Sequence, residues 1–101
     1  MISSLGAIPG TKKFAGLSAY SSSKGALAIL SQCLAEEMSD MDIHVNCLAL
    51  GGAQTKMFEK AFPGIKAPMS PQQIAAFIAD FAVSGNRHFN GKVLEVALAD
   101  S

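Results

Sequence analysis

The chain has 101 residues, of which half are hydrophobic and 16% are charged, and its formal net charge is zero. This composition is typical of one small globular domain and argues against a disordered chain. The balanced charge, with no basic stripe, gives no support for nucleic-acid binding, and the apolar runs are too short for a transmembrane span.

The first part of the chain predicts a strand, a loop and a long helix. Residues 1–4 are a short apolar start typical of the end of a strand, and residues 5–16 carry the three glycines and the proline of a loop. Residues 18–39 have helical periodicity, with two apolar stripes. The first stripe is Leu27, Leu30, Leu34 and Met38, and the second, of smaller residues, is Ala19, Ala26, Ile29 and Cys33. A helix that is apolar on two sides usually packs against two surfaces. One would be a sheet, and the other a neighbouring helix or a second subunit.

The middle of the chain predicts a buried strand followed by a loop. Residues 42–50 ("DIHVNCLAL") form a buried strand candidate, which ends at the glycine pair Gly51 and Gly52. Residues 53–69 mix glycine, proline, lysine and apolar residues, which favours a loop with a short helix around residues 55–61.

A second helix and a last strand follow. Ser70 is the predicted N-cap, Pro71 takes the first helical position, and Gln73 completes a capping box. Its predicted buried face consists of Ile74, Phe77, Ile78 and Phe81. Gly85 is the predicted end of this helix. An Asn-Gly turn at residues 90–91 precedes a strand over residues 92–98.

Strands that alternate with helices favour an α/β fold with a parallel sheet and right-handed crossovers. We therefore expect one domain over residues 1–101, with about three strands and flanking helices. Cys33 and Cys47 lie in apolar stretches without metal-ligand spacing, which favours buried free thiols in a cytoplasmic protein over a disulfide. The N-terminal residues lack the charged front and long apolar core of a signal peptide.

Tyr20 and Lys24 have the spacing at which two residues share one face of a helix. An ammonium group within about 4–6 Å of a phenol favours the phenolate form. A tyrosine tuned in this way can donate a proton to a carbonyl oxygen or accept one from an alcohol. Alone, such a pair is more often a solvated helix start. Ser3 and Ser4 favour a site, because they end the first strand, at the edge where active sites of open parallel sheets gather.

The stretches "ISSLG", "AYSSSKGAL" and "VNCLALGGAQT" resemble the C-terminal half of the short-chain dehydrogenases/reductases. The centre of the resemblance is the family's Y-x-x-x-K motif, at Tyr20 and Lys24. The resemblance implies the C-terminal half of a Rossmann-type, doubly wound parallel sheet. It also implies NAD(H) or NADP(H) as cofactor, and hydride exchange between the nicotinamide and an alcohol or carbonyl substrate.

The resemblance further implies a role for each matching residue. Tyr20 would be the general acid/base, Lys24 would favour its phenolate and bind the nicotinamide ribose, and Ser4 would orient the substrate. Ser3 is the less favoured candidate for that last role. The remaining cofactor contacts would come from Gly51, Ala53 and Thr55, and the substrate loop from residues 56–69. No metal site is implied.

The sequence departs from the family pattern in several places. Leu50 replaces the usual proline, and the segment between Ser4 and Tyr20 is longer than is usual in the family. His44 stands where the family often has an arginine.

The N-terminal, dinucleotide-binding half of the family's fold has no counterpart in the sequence. No G-x-G-x-x-G stretch is present to seat a pyrophosphate at a helix N-terminus.

Three explanations remain open. The chain is a piece of a longer enzyme, which is the favoured one, or the product of a truncated gene, or a small binding or scaffold module. We expect the chain alone to be inactive. We also expect it to self-associate, because a half-domain exposes a strand edge and apolar surface. The helix at residues 18–39 is the favoured contact, since the resemblance implies the family's dimer contact there. The alternative function is a non-catalytic oligomeric or binding module. The substrate and the choice between NAD and NADP stay open.

Overall fold

The predicted alternation of strands and helices is present in the structure, a computed structural model. It describes residues 1–10, 13–51, 60, 63–64, 66 and 69–96. The strands and helices are, in chain order, β1 (Ile2–Ser4), α1 (Ser18–Glu37), β2 (Cys47–Leu50), α2 (Pro71–Val83) and β3 (Val93–Val96). The predicted short helix around residues 55–61 lies largely outside the described residues.

The three strands form one parallel sheet in the order β1-β2-β3. The register pairs Ser4 with Leu50 across β1 and β2, and Leu50 with Val96 across β2 and β3. The central strand is buried on both faces, since Cys47 and Ala49 are fully buried and Leu48 is 4% exposed. This confirms the prediction of an α/β fold with a parallel sheet.

Helix α1 begins and ends close to its predicted bounds, but neither predicted stripe is its buried face. Its buried residues are Ala28, Ser31 and Ala35, at helical spacings of three and four. Small side chains on this face let the helix backbone lie close to β1 and β2, against which α1 packs. Of the larger apolar residues, Leu27, Leu34 and Met38 are half-buried. Ile29 is 61% exposed and Leu30 is 48% exposed.

The cysteines differ in environment. Cys47 is buried in β2 and Cys33 is exposed on α1, and both thiols are free. The expectation of burial is therefore right for Cys47 and wrong for Cys33, because Cys33 lies on the outward side of α1 with Ile29.

The start of α2 is formed by the predicted capping box. The Ser70 hydroxyl accepts a hydrogen bond from the Gln73 N–H at 3.2 Å, and the Gln73 side-chain oxygen accepts one from the Ser70 N–H at 2.8 Å. Pro71 occupies the first helical position. The buried face is less complete than predicted, since Ile74 is buried but Phe77 is 40% exposed.

Strand β2 begins later than predicted, at Cys47 rather than at residue 42, because side chains take over the hydrogen bonds of the preceding residues. The Val45 N–H donates to Asn90 Oδ1 at 2.9 Å. The buried Asn46 side chain donates to Phe89 O at 2.9 Å and accepts from the Lys92 N–H at 3.1 Å. These bonds join the segment before β2 to the segment before β3.

The predicted Asn-Gly turn at residues 90–91 is also present. Gly91 has a φ of 72°, in the left-handed region that favours glycine. Its N–H donates to Val45 O at 2.9 Å. Within the described part of the chain, no helix is long and apolar enough to cross a membrane.

Candidate active site

Two of the candidate residues, Ser4 and Gly51, lie at the carboxyl edge of the sheet. Ser4 ends β1 and pairs with Leu50, the last residue of β2, so that the next residue, Gly51, lies at the same level. The Gly51 N–H donates to Val96 O at 2.8 Å. This amide is therefore already used by the sheet, and a contact from Gly51 to a ligand would use its carbonyl oxygen.

The two serines of β1 have different surroundings, because adjacent residues of a strand face opposite sides of the sheet. Ser3 is 4% exposed, and its hydroxyl donates to the backbone carbonyl of Lys24 at 2.8 Å. Ser4 is half-buried, and its hydroxyl oxygen accepts a bond from the Gly6 N–H at 3.3 Å. A serine hydroxyl both donates and accepts, so this bond leaves the Ser4 O–H able to donate to a ligand.

Tyr20 and Lys24 lie in the first two turns of α1, as the spacing predicts. The Lys24 ammonium lies 5.9 Å from the centroid of the Tyr20 ring. It also donates to the carbonyl oxygen of Ile2 in β1, at 3.4 Å. The Tyr20 side chain is 36% exposed, so a ligand can reach it.

The turn after β1 brings Ser4 close to the start of α1. A Cβ atom added to Gly6 would lie 3.7 Å from Ser4 Oγ and 3.2 Å from Ser21 Oγ. Gly6 is therefore flanked by the hydroxyl of Ser4 and by that of Ser21, the residue after Tyr20. The sequence prediction did not single out Ser21. The sequence feature that points to Ser21 is the run of three serines at residues 21–23, directly after Tyr20.

The other predicted cofactor contacts cannot be placed in this geometry. Ala53 and Thr55 lie outside the described residues, as does most of the predicted substrate loop at residues 56–69. Over the part of the chain that is described, no group of histidine, cysteine, aspartate or glutamate side chains could hold a metal ion.

The arrangement is suited to proton transfer and to binding a hydroxyl-rich ligand. The Lys24 ammonium lies beside the Tyr20 ring and at the carbonyl of Ile2, and the Ser4 hydroxyl lies at the end of the same strand. The phenol can exchange a proton with a ligand oxygen. The ammonium can offer three donors and the serine hydroxyl one, so both groups can bind ligand oxygens.

Comparison with known proteins shows the family of the chain. A family model described as short chain dehydrogenase matches residues 1–66. No curated protein matches the chain. Among solved structures, a short chain dehydrogenase from Salmonella enterica serovar Typhi is 28% identical with a TM-score of 0.78. The match covers 94% of this chain and 39% of that one.

Two further solved structures are similar. One is a short chain dehydrogenase from Escherichia coli complexed with NADPH, which is 28% identical with a TM-score of 0.77, over 93% of this chain and 38% of that one. The other is an acetoin dehydrogenase from Salmonella typhimurium, which is 30% identical with a TM-score of 0.71, over 94% of this chain and 39% of that one.

The chain thus spans about two fifths of the length of these solved structures. Its three parallel strands and flanking helices match part of their Rossmann-type fold, as the sequence predicts. Because the family model covers more than half of the chain, the chain belongs to the short-chain dehydrogenase family.

Proposed function

We propose that this chain carries the proton-transfer residues of an NAD(P)-dependent oxidoreductase that interconverts an alcohol and a carbonyl compound. The observation that carries the proposal is the Lys24 ammonium 5.9 Å from the ring centroid of an exposed Tyr20 and 3.4 Å from the Ile2 carbonyl oxygen of β1. Membership of the family and the NADPH bound to a relative from Escherichia coli support it.

Tyr20 is the proposed general acid/base. Its phenol oxygen gives a proton to the substrate oxygen in the direction of reduction and takes it back in the direction of oxidation. Lys24 is proposed from the family pattern to assist Tyr20, and its ammonium lies 5.9 Å from the centroid of the Tyr20 ring.

Ser4 is the proposed orienting residue. Its hydroxyl oxygen accepts the Gly6 N–H, which restricts the directions in which its own O–H can point. An O–H donated to the substrate oxygen would hold that oxygen beside the Tyr20 phenol. Ser3 is not proposed for this role, since its hydroxyl is buried and donates to the Lys24 carbonyl.

Lys24 is also the proposed ligand of the nicotinamide ribose. When bound, the nicotinamide exchanges a hydride with the substrate carbon. The bond from the Lys24 ammonium to Ile2 O is long at 3.4 Å, and so it is weak enough to be exchanged for ribose hydroxyls. The carbonyl of Gly51 lies at the same edge of the sheet, and we retain Ala53 and Thr55 as proposed cofactor contacts from the family pattern alone.

The experiment is a turnover assay on the protein that carries this sequence, with NADH and NADPH and a panel of ketones and aldehydes. Tyr20→Phe is expected to lower kcat by about 100-fold or more, the range of one general acid/base. Ser22→Ala is the control, because Ser22 is an exposed neighbour on α1 and its loss should leave turnover unchanged. Turnover that survives in Tyr20→Phe contradicts the assignment of Tyr20. Turnover absent from an unmodified protein longer than this chain favours the non-catalytic oligomeric or binding module, because the 101-residue chain alone is expected to be inactive.

We further propose that α1 is a contact between two copies of the chain. Its outward side exposes Ile29, Leu30 and Cys33, and exposed apolar patches of this kind mark interaction surfaces. Ile29→Glu should lower the mass measured by light scattering to that of one chain. Val83→Glu is the control, because Val83 is 86% exposed on α2, and it should leave the mass unchanged.

A further inference from the structure

We propose that Ser3 is a positioning residue. Its buried hydroxyl fixes the position of α1 along β1 and so keeps the Lys24 ammonium next to that strand. The consequence for catalysis rests on the function proposed above. The positioning itself rests on the contacts between β1 and α1 alone.

Ser3 is a buried polar group with a specific partner. It is 4% exposed and pairs in the sheet with Ala49, which is fully buried. Its hydroxyl donates to the Lys24 carbonyl at 2.8 Å, a bond that joins positions 21 residues apart. An apolar side chain would fill the same space but would leave the helix free to slide along the sheet. A hydrogen bond to one particular carbonyl fixes which residue of α1 lies above β1.

Lys24 is held at its other end by the neighbouring residue of β1. The Leu48 N–H donates to Met1 O, so the carbonyl of Met1 faces β2. Successive carbonyls of a strand point to opposite sides, so the carbonyl of Ile2 faces away from β2, towards the outer edge of the sheet. The Lys24 ammonium reaches this outer carbonyl at 3.4 Å.

Lys24 is therefore tied to two consecutive residues of β1, by its backbone to Ser3 and by its side chain to Ile2. The backbone bond is the shorter of the two, and it fixes the position of Lys24 along β1. The ammonium bond is long, and it remains available for exchange with a ligand. This division lets the lysine keep its position when its ammonium changes partner.

Ser31 on the same helix provides a matched control. It is fully buried, and its hydroxyl donates to the Ala28 carbonyl at 2.7 Å. This bond lies within α1 and joins nothing to the sheet. Ser31→Ala therefore removes a buried hydroxyl bond of similar length from the same helix without removing a bond between α1 and β1.

The experiment measures the acetylation rate of Lys24 in the full chain with trace acetic anhydride, read by mass spectrometry as a ratio to the exposed Lys92. Ser3→Ala is expected to raise this ratio about two- to tenfold, the range that corresponds to the loss of one hydrogen bond. Ser31→Ala and Ser3→Thr, which keeps the hydroxyl, are expected to retain the ratio of the unmodified chain. An unchanged ratio in Ser3→Ala, or an equal rise in Ser31→Ala, overturns the proposal.

Circular dichroism shows whether each variant keeps its helices. If Ser3→Ala unfolds, the ratio is measured on Ser3→Cys, whose thiol fills the space but is a weak donor. A raised ratio there supports positioning, and an unchanged ratio refutes it. The labelling needs no turnover, so its outcome is separate from the Tyr20→Phe assay. A raised ratio together with turnover that survives in Tyr20→Phe leaves Ser3 as a positioning residue and removes the catalytic role of Tyr20.

Discussion

Asn46 joins the segment before β2 to the segment before β3, and Asn46→Asp is expected to destabilise the fold strongly. The side chain is 4% exposed. Its amide nitrogen donates to Asn86 Oδ1 and to Phe89 O, each at 2.9 Å, and its oxygen accepts from the Lys92 N–H at 3.1 Å. Aspartate keeps the acceptor for Lys92. It replaces the donor with a carboxylate oxygen, which would face two acceptor oxygens.

The expected loss of stability follows from two oxygens, Asn86 Oδ1 and Phe89 O, which lose the donor that Asn46 supplies. A buried polar group left without a partner costs about 1–3 kcal/mol. The Asn86 amide cannot turn to compensate without loss, because its nitrogen already donates to His44 O at 3.2 Å. We therefore expect a loss of about 3 kcal/mol, which is a large part of the stability of a small domain, about 5–15 kcal/mol.

Urea unfolding followed by circular dichroism measures this loss as a lower transition midpoint. Asn90→Asp is the matched control, because Asn90 is exposed and its side-chain oxygen accepts the Val45 N–H at 2.9 Å. Aspartate keeps that acceptor, so the free energy of unfolding should change by less than about 0.5 kcal/mol. Equal midpoints and slopes for the two variants would refute the assignment of Asn46 as a buried donor.

Substitutions at a helix cap and at a turn glycine are expected to destabilise the fold by smaller amounts. Ser70→Ala removes the hydroxyl that accepts the Gln73 N–H and should cost about 1 kcal/mol in thermal unfolding, so an unchanged transition would contradict the capping box. Gly91→Ala should cost about 1–2 kcal/mol in urea unfolding, because its φ is 72° and its added Cβ would lie 3.4 Å from the Ala35 Cβ. Gly10→Ala is the comparison, since Gly10 has a φ of 90° and no atom within 4 Å of an added Cβ, so it should show the cost of the backbone conformation alone.

Features that depend on neighbouring residues could be predicted from the sequence. Ser70, Pro71 and Gln73 determine the start of α2 because capping bonds join residues within one turn. The parallel sheet followed from the alternation of strands and helices. The capping signal and its consequence lie within one turn, whereas the signal for the sheet is the order of strands and helices along the whole chain.

The buried face of α1 could not be predicted from hydrophobicity. The stripe with Leu30 was the more hydrophobic choice, but the face against the sheet consists of Ala28, Ser31 and Ala35. Close approach of a helix to a sheet selects small side chains, and hydrophobicity alone does not measure size. The late start of β2 could not be predicted either, since Asn46 bonds to residues 40 and 43 positions away.

The serine pair of β1 shows why the candidate site needed the structure. Adjacent strand residues face opposite sides, so only one of Ser3 and Ser4 can lie beneath α1, and the sequence does not say which. A hydroxyl that donates to the Lys24 carbonyl beneath the helix cannot also reach a substrate at the edge of the sheet. Exchange of the two roles would require a one-residue slip of β1. That slip would also break the pairing of Ser4 with Leu50, because register and side-chain direction change together in a strand.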